Sequence, residues 1–136
     1  MQYTETIQLE LPASHKLLNV VSGVLAELLA HVEDTDALHA VQLAAHEVCT
    51  NIIDHAYDDI SGGRISITIH LDFGARQLLL TLGDQGHTFD PATARVADLD
   101  TPQVRGYGLH LINGLMDQVV YESDQDGNRW YLWKTL

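Results

Sequence analysis

Cysteine, proline and basic residues are the scarce features of this chain, and each scarcity removes a class of protein. A single cysteine, Cys49, leaves no internal disulfide and no thiolate zinc cluster, so burial in a reducing cytoplasm is its expected fate. Only 7 lysines and arginines stand against 19 acidic residues, a formal charge of -12 that repels phosphate backbones and anionic lipid. Direct nucleic-acid and membrane partners are therefore disfavoured, and basic protein surfaces fit better. No apolar run reaches membrane-spanning length, and Met1–Leu11 has neither the basic start nor the apolar block of a signal peptide. A soluble, cytoplasmic protein is expected. With 3 prolines, 46% hydrophobic residues, no internal repeat and 136 residues in all, the chain suits a single domain spanning 1–136.

Familiar catalytic signatures are missing as well. His46-Glu47 is followed by threonine at position 50, which rules out the metalloprotease pattern, and no phosphate-loop Gly-Lys-Ser/Thr or Gly-x-Ser-x-Gly turn occurs. The 8 histidines are scattered and read as solvated. An acidic chain can still hold a nucleotide, because magnesium and helix-start amides supply local positive potential.

What is present is a clear alternation of periods. Thr4 to Leu11 alternates as a half-buried strand, and Pro12-Ala13-Ser14 breaks it with a possible helix cap. Leu17, Leu18, Val21, Val24, Leu25, Leu28 and Val32 recur at helical spacing. Asp34 or Thr35 caps a second helix running to about Tyr57. At about 100° per residue, Leu38, Val41, Ala45, Val48, Ile52 and Ala56 share one side of it, and Glu47, Asn51 and Asp54 share another. Arg64 to Asp72 and Gln77 to Gly83 read as a hairpin, followed by a long loop from Asp84 to Arg105 with room for one short helix. Gly108 opens a helix carrying Leu109, Ile112, Leu115 and Met116. Gln118 to Ser123 and Arg129 to Leu136 form strands joined at Asp126-Gly127, and Trp130, Tyr131 and Trp133 fill core or lid. Strands on one side of helices make an α+β sandwich.

Three constellations carry chemistry. Glu47 and Asn51, four apart on one helix face, let a carboxylate and an amide oxygen converge on one metal ion or water, though an exposed hydrogen-bonding pair has the same spacing. Asp84-x-Gly86 at a strand end suits a carboxylate that accepts from an exocyclic amino group beside space for a flat ring; it is also ordinary turn punctuation. Gly106-Tyr107-Gly108 before a helix offers unblocked amides to phosphate oxygens.

Taken in order, Glu47-Val-Cys-Thr-Asn51-Ile-Ile-Asp-His55-Ala-Tyr57, Asp84-Gln-Gly86-His-Thr-Phe89-Asp90-Pro91 and Gly106-Tyr-Gly108-Leu-His-Leu-Ile112 resemble the GHKL ATPase superfamily, most nearly its small anti-sigma-factor serine/threonine kinases. The resemblance covers nearly the whole chain. It implies the Bergerat fold: a two-layer α/β sandwich, a mixed and mostly antiparallel sheet with helices on one face, and ATP beneath a mobile lid. It further implies that Asn51 holds Mg2+ and that Glu47 is the catalytic base. Asp84 takes the adenine amino group and Gly86 makes room for the ring, while Phe89, Arg105, Gly106, Tyr107, Gly108 and Leu109 line the nucleotide. Three positions depart from the family pattern: Arg105 stands where a paired glycine is common, Thr88 where some relatives have glycine, and His110 where a large apolar residue is usual. The guanidinium of Arg105 can replace one backbone approach to phosphate.

The implied activity is phosphorylation of a small anti-sigma-factor antagonist protein by a kinase that otherwise sequesters a sigma factor, in a family where homodimers are common. The rival is a non-catalytic module of the same fold, in which nucleotide only tunes affinity for a protein partner.

Overall fold

Period-two alternation sets the sheet. The computed structural model describes residues 4–88 and 104–136, with side chains in the last helix from 109 onward. Strand β1 (Thr4–Pro12) leads through a 3-10 turn (His15–Leu17) into helix α1 (Leu18–Leu28), then helix α2 (Thr35–Asn51). Strands β2 (Arg64–Asp72) and β3 (Gln77–Asp84) follow, then helix α3 (Val104–Leu115) and strands β4 (Gln118–Asp124) and β5 (Gly127–Thr135). The five strands lie in the order β1-β2-β3-β5-β4, and every pairing among the described residues is antiparallel. The α+β sandwich is as expected, and the sheet is antiparallel throughout these pairings rather than mixed.

One face of the sheet is apolar because the alternation is strict. Ile65, Ile67, Ile69 and Leu71 of β2 and Leu78, Leu80 and Leu82 of β3 are buried, as are Trp130 and Leu132 of β5. Onto this face α2 packs against β3 and β5, with α1 and α3 on its flanks. Val41, Ala45, Val48 and Ile52 of the second helix are buried on the side the periodicity assigned. Each large aliphatic side chain so enclosed contributes roughly 1.5–3 kcal/mol of transfer free energy. Cutting the fully buried Leu25 back to alanine would cost about 2–5 kcal/mol.

The opposite face of the sheet is open among the described residues. Tyr131 and Trp133 lie there, stacked with centroids 6.0 Å apart. Only Trp130 of this aromatic group fills the core, edge-on to Tyr121 at 4.8 Å. Alternation decides this: if 130 and 132 point inward, 131 and 133 must point outward.

Helix boundaries depart from the sequence reading in three places. Ser14 adopts an extended N-cap backbone but its side chain caps nothing; the chain makes a 3-10 turn first, and α1 ends at Leu28 rather than near Val32. Asp34 is the cap of α2, its carboxylate accepting from the Ala37 amide at 3.0 Å. The α geometry of that helix stops at Asn51, and Ile52–Ala56 form a π turn, closed by Tyr57 N donating to Ile52 O at 2.9 Å. Finally, α3 begins at Val104, four residues before Gly108. Glycine costs about 1 kcal/mol inside a helix but does not forbid it, so Gly106 and Gly108 lie within the first turns and not before them. No helix among the described residues is long and apolar enough to cross a membrane.

Candidate functional site

Among the described residues three polar side chains are buried: Asn51, Asp84 and Asn128, at 6, 4 and 2% exposure. Burying a polar group is unfavourable unless hydrogen bonds replace its water, so the fate of each is informative.

Asp84 closes β3 on the helix-covered side of the sheet, continuing the row Leu78, Leu80 and Leu82. Its Oδ1 accepts from Gly86 N at 2.9 Å and from Asn128 Nδ2 at 2.7 Å. Burial pushes its carboxyl above the usual carboxylate value, and these two bonds pull the other way. Asn128 does more than serve Asp84. Its Nδ2 also reaches Gly86 O at 3.0 Å and His87 O at 3.1 Å, and its Oδ1 accepts from Ser123 Oγ at 2.7 Å and Thr88 Oγ1 at 3.4 Å. One amide thus ties the turn after β3 to β5. The sequence carried a signal for it: an asparagine at an inward-facing position of a strand, in parity with Trp130 and Leu132, is out of place unless it has partners.

The same turn is bonded to the end of the second helix. His87 N donates to Ala56 O at 2.6 Å, and Tyr57 Oη accepts from Gln85 N at 2.9 Å while donating to Arg64 O at 2.6 Å. A Cβ on Gly86 would lie 2.1 Å from Ala56 O, so this glycine is required by contact with the helix end itself, whatever room it also leaves for a ligand. Gly63 is pinned similarly: its Cβ would meet the Tyr57 ring at 2.6 Å. Tyr57, read from sequence only as the end of a helix, is a clamp between β2, the π turn and the aspartate turn.

Asn51 stands at the α-to-π transition of that helix, where a change of hydrogen-bond register commonly marks a working site. Its Nδ2 is buried and finds no hydrogen-bond partner among the described residues. One helical turn earlier, Glu47 is half-buried. Asp54, which shares their helical face by spacing, is exposed, and its Oδ1 pairs with His15 Nε2 at 2.7 Å. An unmet amide within one turn of a carboxylate suits a ligand that brings acceptor oxygens and a hard cation: the amide N–H can donate to phosphate oxygen and the amide oxygen can ligate magnesium. Among the described residues no three His, Cys, Asp or Glu side chains gather into a metal site, so a cation here would depend on oxygens that the ligand brings.

The remaining expected residues fall less fully into view. Phe89 lies outside the described residues. Arg105, Gly106, Tyr107 and Gly108 fall in the first turns of α3, whose opening amides have no intrahelical acceptor. Leu109 is buried in the apolar core.

The chain matches the family model of the histidine kinase-like ATPase domain over residues 11–134. A protein of Halalkalibacterium halodurans named serine-protein kinase RsbW is 33% identical over 129 residues, covering 88% of this chain and 77% of the relative. Proteins of the same name from Bacillus velezensis and Bacillus mycoides are 29% and 28% identical, covering 87% and 92% of this chain and 78% and 82% of theirs. With a buried aspartate at a strand exit, an asparagine on the neighbouring helix unmet among the described residues and this match along nearly its whole length, the chain belongs to the histidine kinase-like ATPase domain family.

Proposed function

We propose that this single-domain chain is a cytoplasmic, ATP- and Mg2+-dependent protein serine/threonine kinase that acts as an anti-sigma factor, phosphorylating a small antagonist protein and otherwise holding a sigma factor. The observation that carries the reading is Asn51, whose Nδ2 is buried without a partner among the described residues one turn from Glu47, on the helix whose end is bonded to the Asp84 turn. The relatives are named serine-protein kinases, which supports the reaction class.

In this mechanism Asp84 orients the base by accepting from an exocyclic amino group, and Asn128 and Gly86 hold its carboxylate in place. Asn51 would hold the cation through its amide oxygen and would donate its N–H to phosphate. Bound magnesium supplies charge neutralisation on the phosphate chain. Glu47 accepts, or orients, the proton of the attacking hydroxyl. The opening amides of α3, with Arg105, stabilise the negative charge that spreads over the transferred group. Phosphorylation adds about two negative charges to the antagonist, and a chain of formal charge -12 repels that product.

The test uses γ-labelled ATP and a small anti-sigma-factor antagonist protein as acceptor. Glu47→Gln should keep ATP affinity and lower transfer on the order of 10²- to 10⁴-fold. Equal transfer by both proteins removes Glu47 from the role of base. A nucleotide-dependent complex with no phosphorylated partner would favour the non-catalytic module.

A further inference from the structure

A carboxylate at the base-recognition position does not by itself select adenine. Guanine presents two adjacent N–H donors and can engage both oxygens of a carboxylate, whereas adenine presents one amino donor beside a ring acceptor. The geometry points to Asn128 as the specificity-determining residue: by occupying Oδ1 of Asp84 it leaves only Oδ2 open, so no ligand can bridge both carboxylate oxygens, and a 6-aminopurine is admitted where guanine is refused. This rests on the reading of Asp84 as the base-recognising group.

Each carboxylate oxygen has two lone pairs. On Asp84 Oδ1 both are used, one by Gly86 N at 2.9 Å and one by Asn128 Nδ2 at 2.7 Å, while among the described residues no hydrogen bond ends on Oδ2. Adenine's single donor is met at Oδ2. Guanine's second donor would face an oxygen already saturated and remain buried and unpaired, which costs affinity. Asn128 cannot escape by turning its amide over. Its Oδ1 is held by the Ser123 hydroxyl at 2.7 Å, and a flip would set that oxygen against Asp84 and the carbonyls of Gly86 and His87. Thr88, a departure from the family pattern, takes part in the same lock through Ser123 Oγ at 3.0 Å.

The experiment is calorimetric titration of the intact chain with Mg-ATP and Mg-GTP, for the unaltered protein, Asn128→Ala and Ser123→Ala. The unaltered protein should prefer ATP. Asn128→Ala, which frees one lone pair on Oδ1, should narrow the ATP-to-GTP ratio by on the order of tenfold. Ser123 is exposed, so Ser123→Ala should keep the fold and shift the ratio the same way by less; it decides the matter if Asn128→Ala does not fold. An unchanged ratio in folded variants overturns the proposal while leaving ATP binding intact. Failure of the unaltered protein to bind either nucleotide overturns the kinase reading together with it.

Discussion

Removing one oxygen atom from Tyr57 should damage stability and nucleotide binding together. Tyr57 is 8% exposed, and its hydroxyl makes two bonds, donating to Arg64 O at 2.6 Å and accepting from Gln85 N at 2.9 Å. In Tyr57→Phe the ring stays against Gly63, so no large cavity opens and the loss is confined to hydrogen bonding. Each bond is worth about 1 kcal/mol net, and each abandoned backbone group costs about 1–3 kcal/mol where water cannot reach it. The expected destabilisation is about 2–4 kcal/mol. For a chain of 136 residues, unfolding entropy near the midpoint is roughly 0.3 kcal/mol per degree, so Tm should fall by roughly 7–14 °C. Far-UV circular dichroism during heating, and urea titration at fixed temperature, would measure both quantities. Because Gln85 adjoins Asp84, ATP affinity should fall in parallel at temperatures where the variant is folded. A loss below about 1 kcal/mol, or undiminished ATP affinity, would refute the assignment of Tyr57 as the clamp.

Gly86→Ala places a methyl group 2.1 Å from Ala56 O, against backbone that has little room to yield, and should cost about 1–3 kcal/mol and the His87–Ala56 bond; amide exchange at His87 as slow as in the unaltered protein would contradict this. Asp84 gives a pH signature of definite sign. Burial raises its folded value above the ordinary 3.8, so its favourable share is full below that value and is lost as pH rises through the folded one. Asp84→Asn should therefore gain stability relative to the unaltered protein as pH climbs above 3.8, and a relative loss over that climb would show that the carboxylate is better stabilised than its burial suggests. Burial pushes the Cys49 thiol up to about 12, so aromatic disulfide reagents at pH 8 should label it only after denaturant is added; stoichiometric labelling of folded protein would place it at the surface.

The strands were legible because a half-buried sheet writes its register into alternate residues. Arg64–Asp72 was read to the residue from Ile65, Ile67, Ile69 and Leu71. The second helix showed its core face for the same reason at the other period. The π turn was not legible, since Ile52 and Ala56 keep an apolar row under either winding and nothing local demands a wider turn. The start of α3 was misplaced because glycine was taken as a boundary, while packing carried the helix through it. At the site, Glu47, Asn51, Asp84 and Gly86 stood out through spacing within short segments. Asn128 and Tyr57 act across 44 and 28 residues of chain, and no local pattern encodes such a pairing. The inward parity of Asn128 was the one visible clue.

The wide turn at Ile52–Ala56 makes the setting of Asn51 relative to the Asp84 turn a matter of counting. Inserting one further residue into that stretch would swing Tyr57 and Ala56 by about 100° around the axis relative to Asn51, uncoupling them from Gln85 and His87. A one-codon insertion there should abolish ATP uptake in a protein that keeps its helical spectrum, whereas single substitutions at the exposed or half-exposed members of the same stretch should leave it intact.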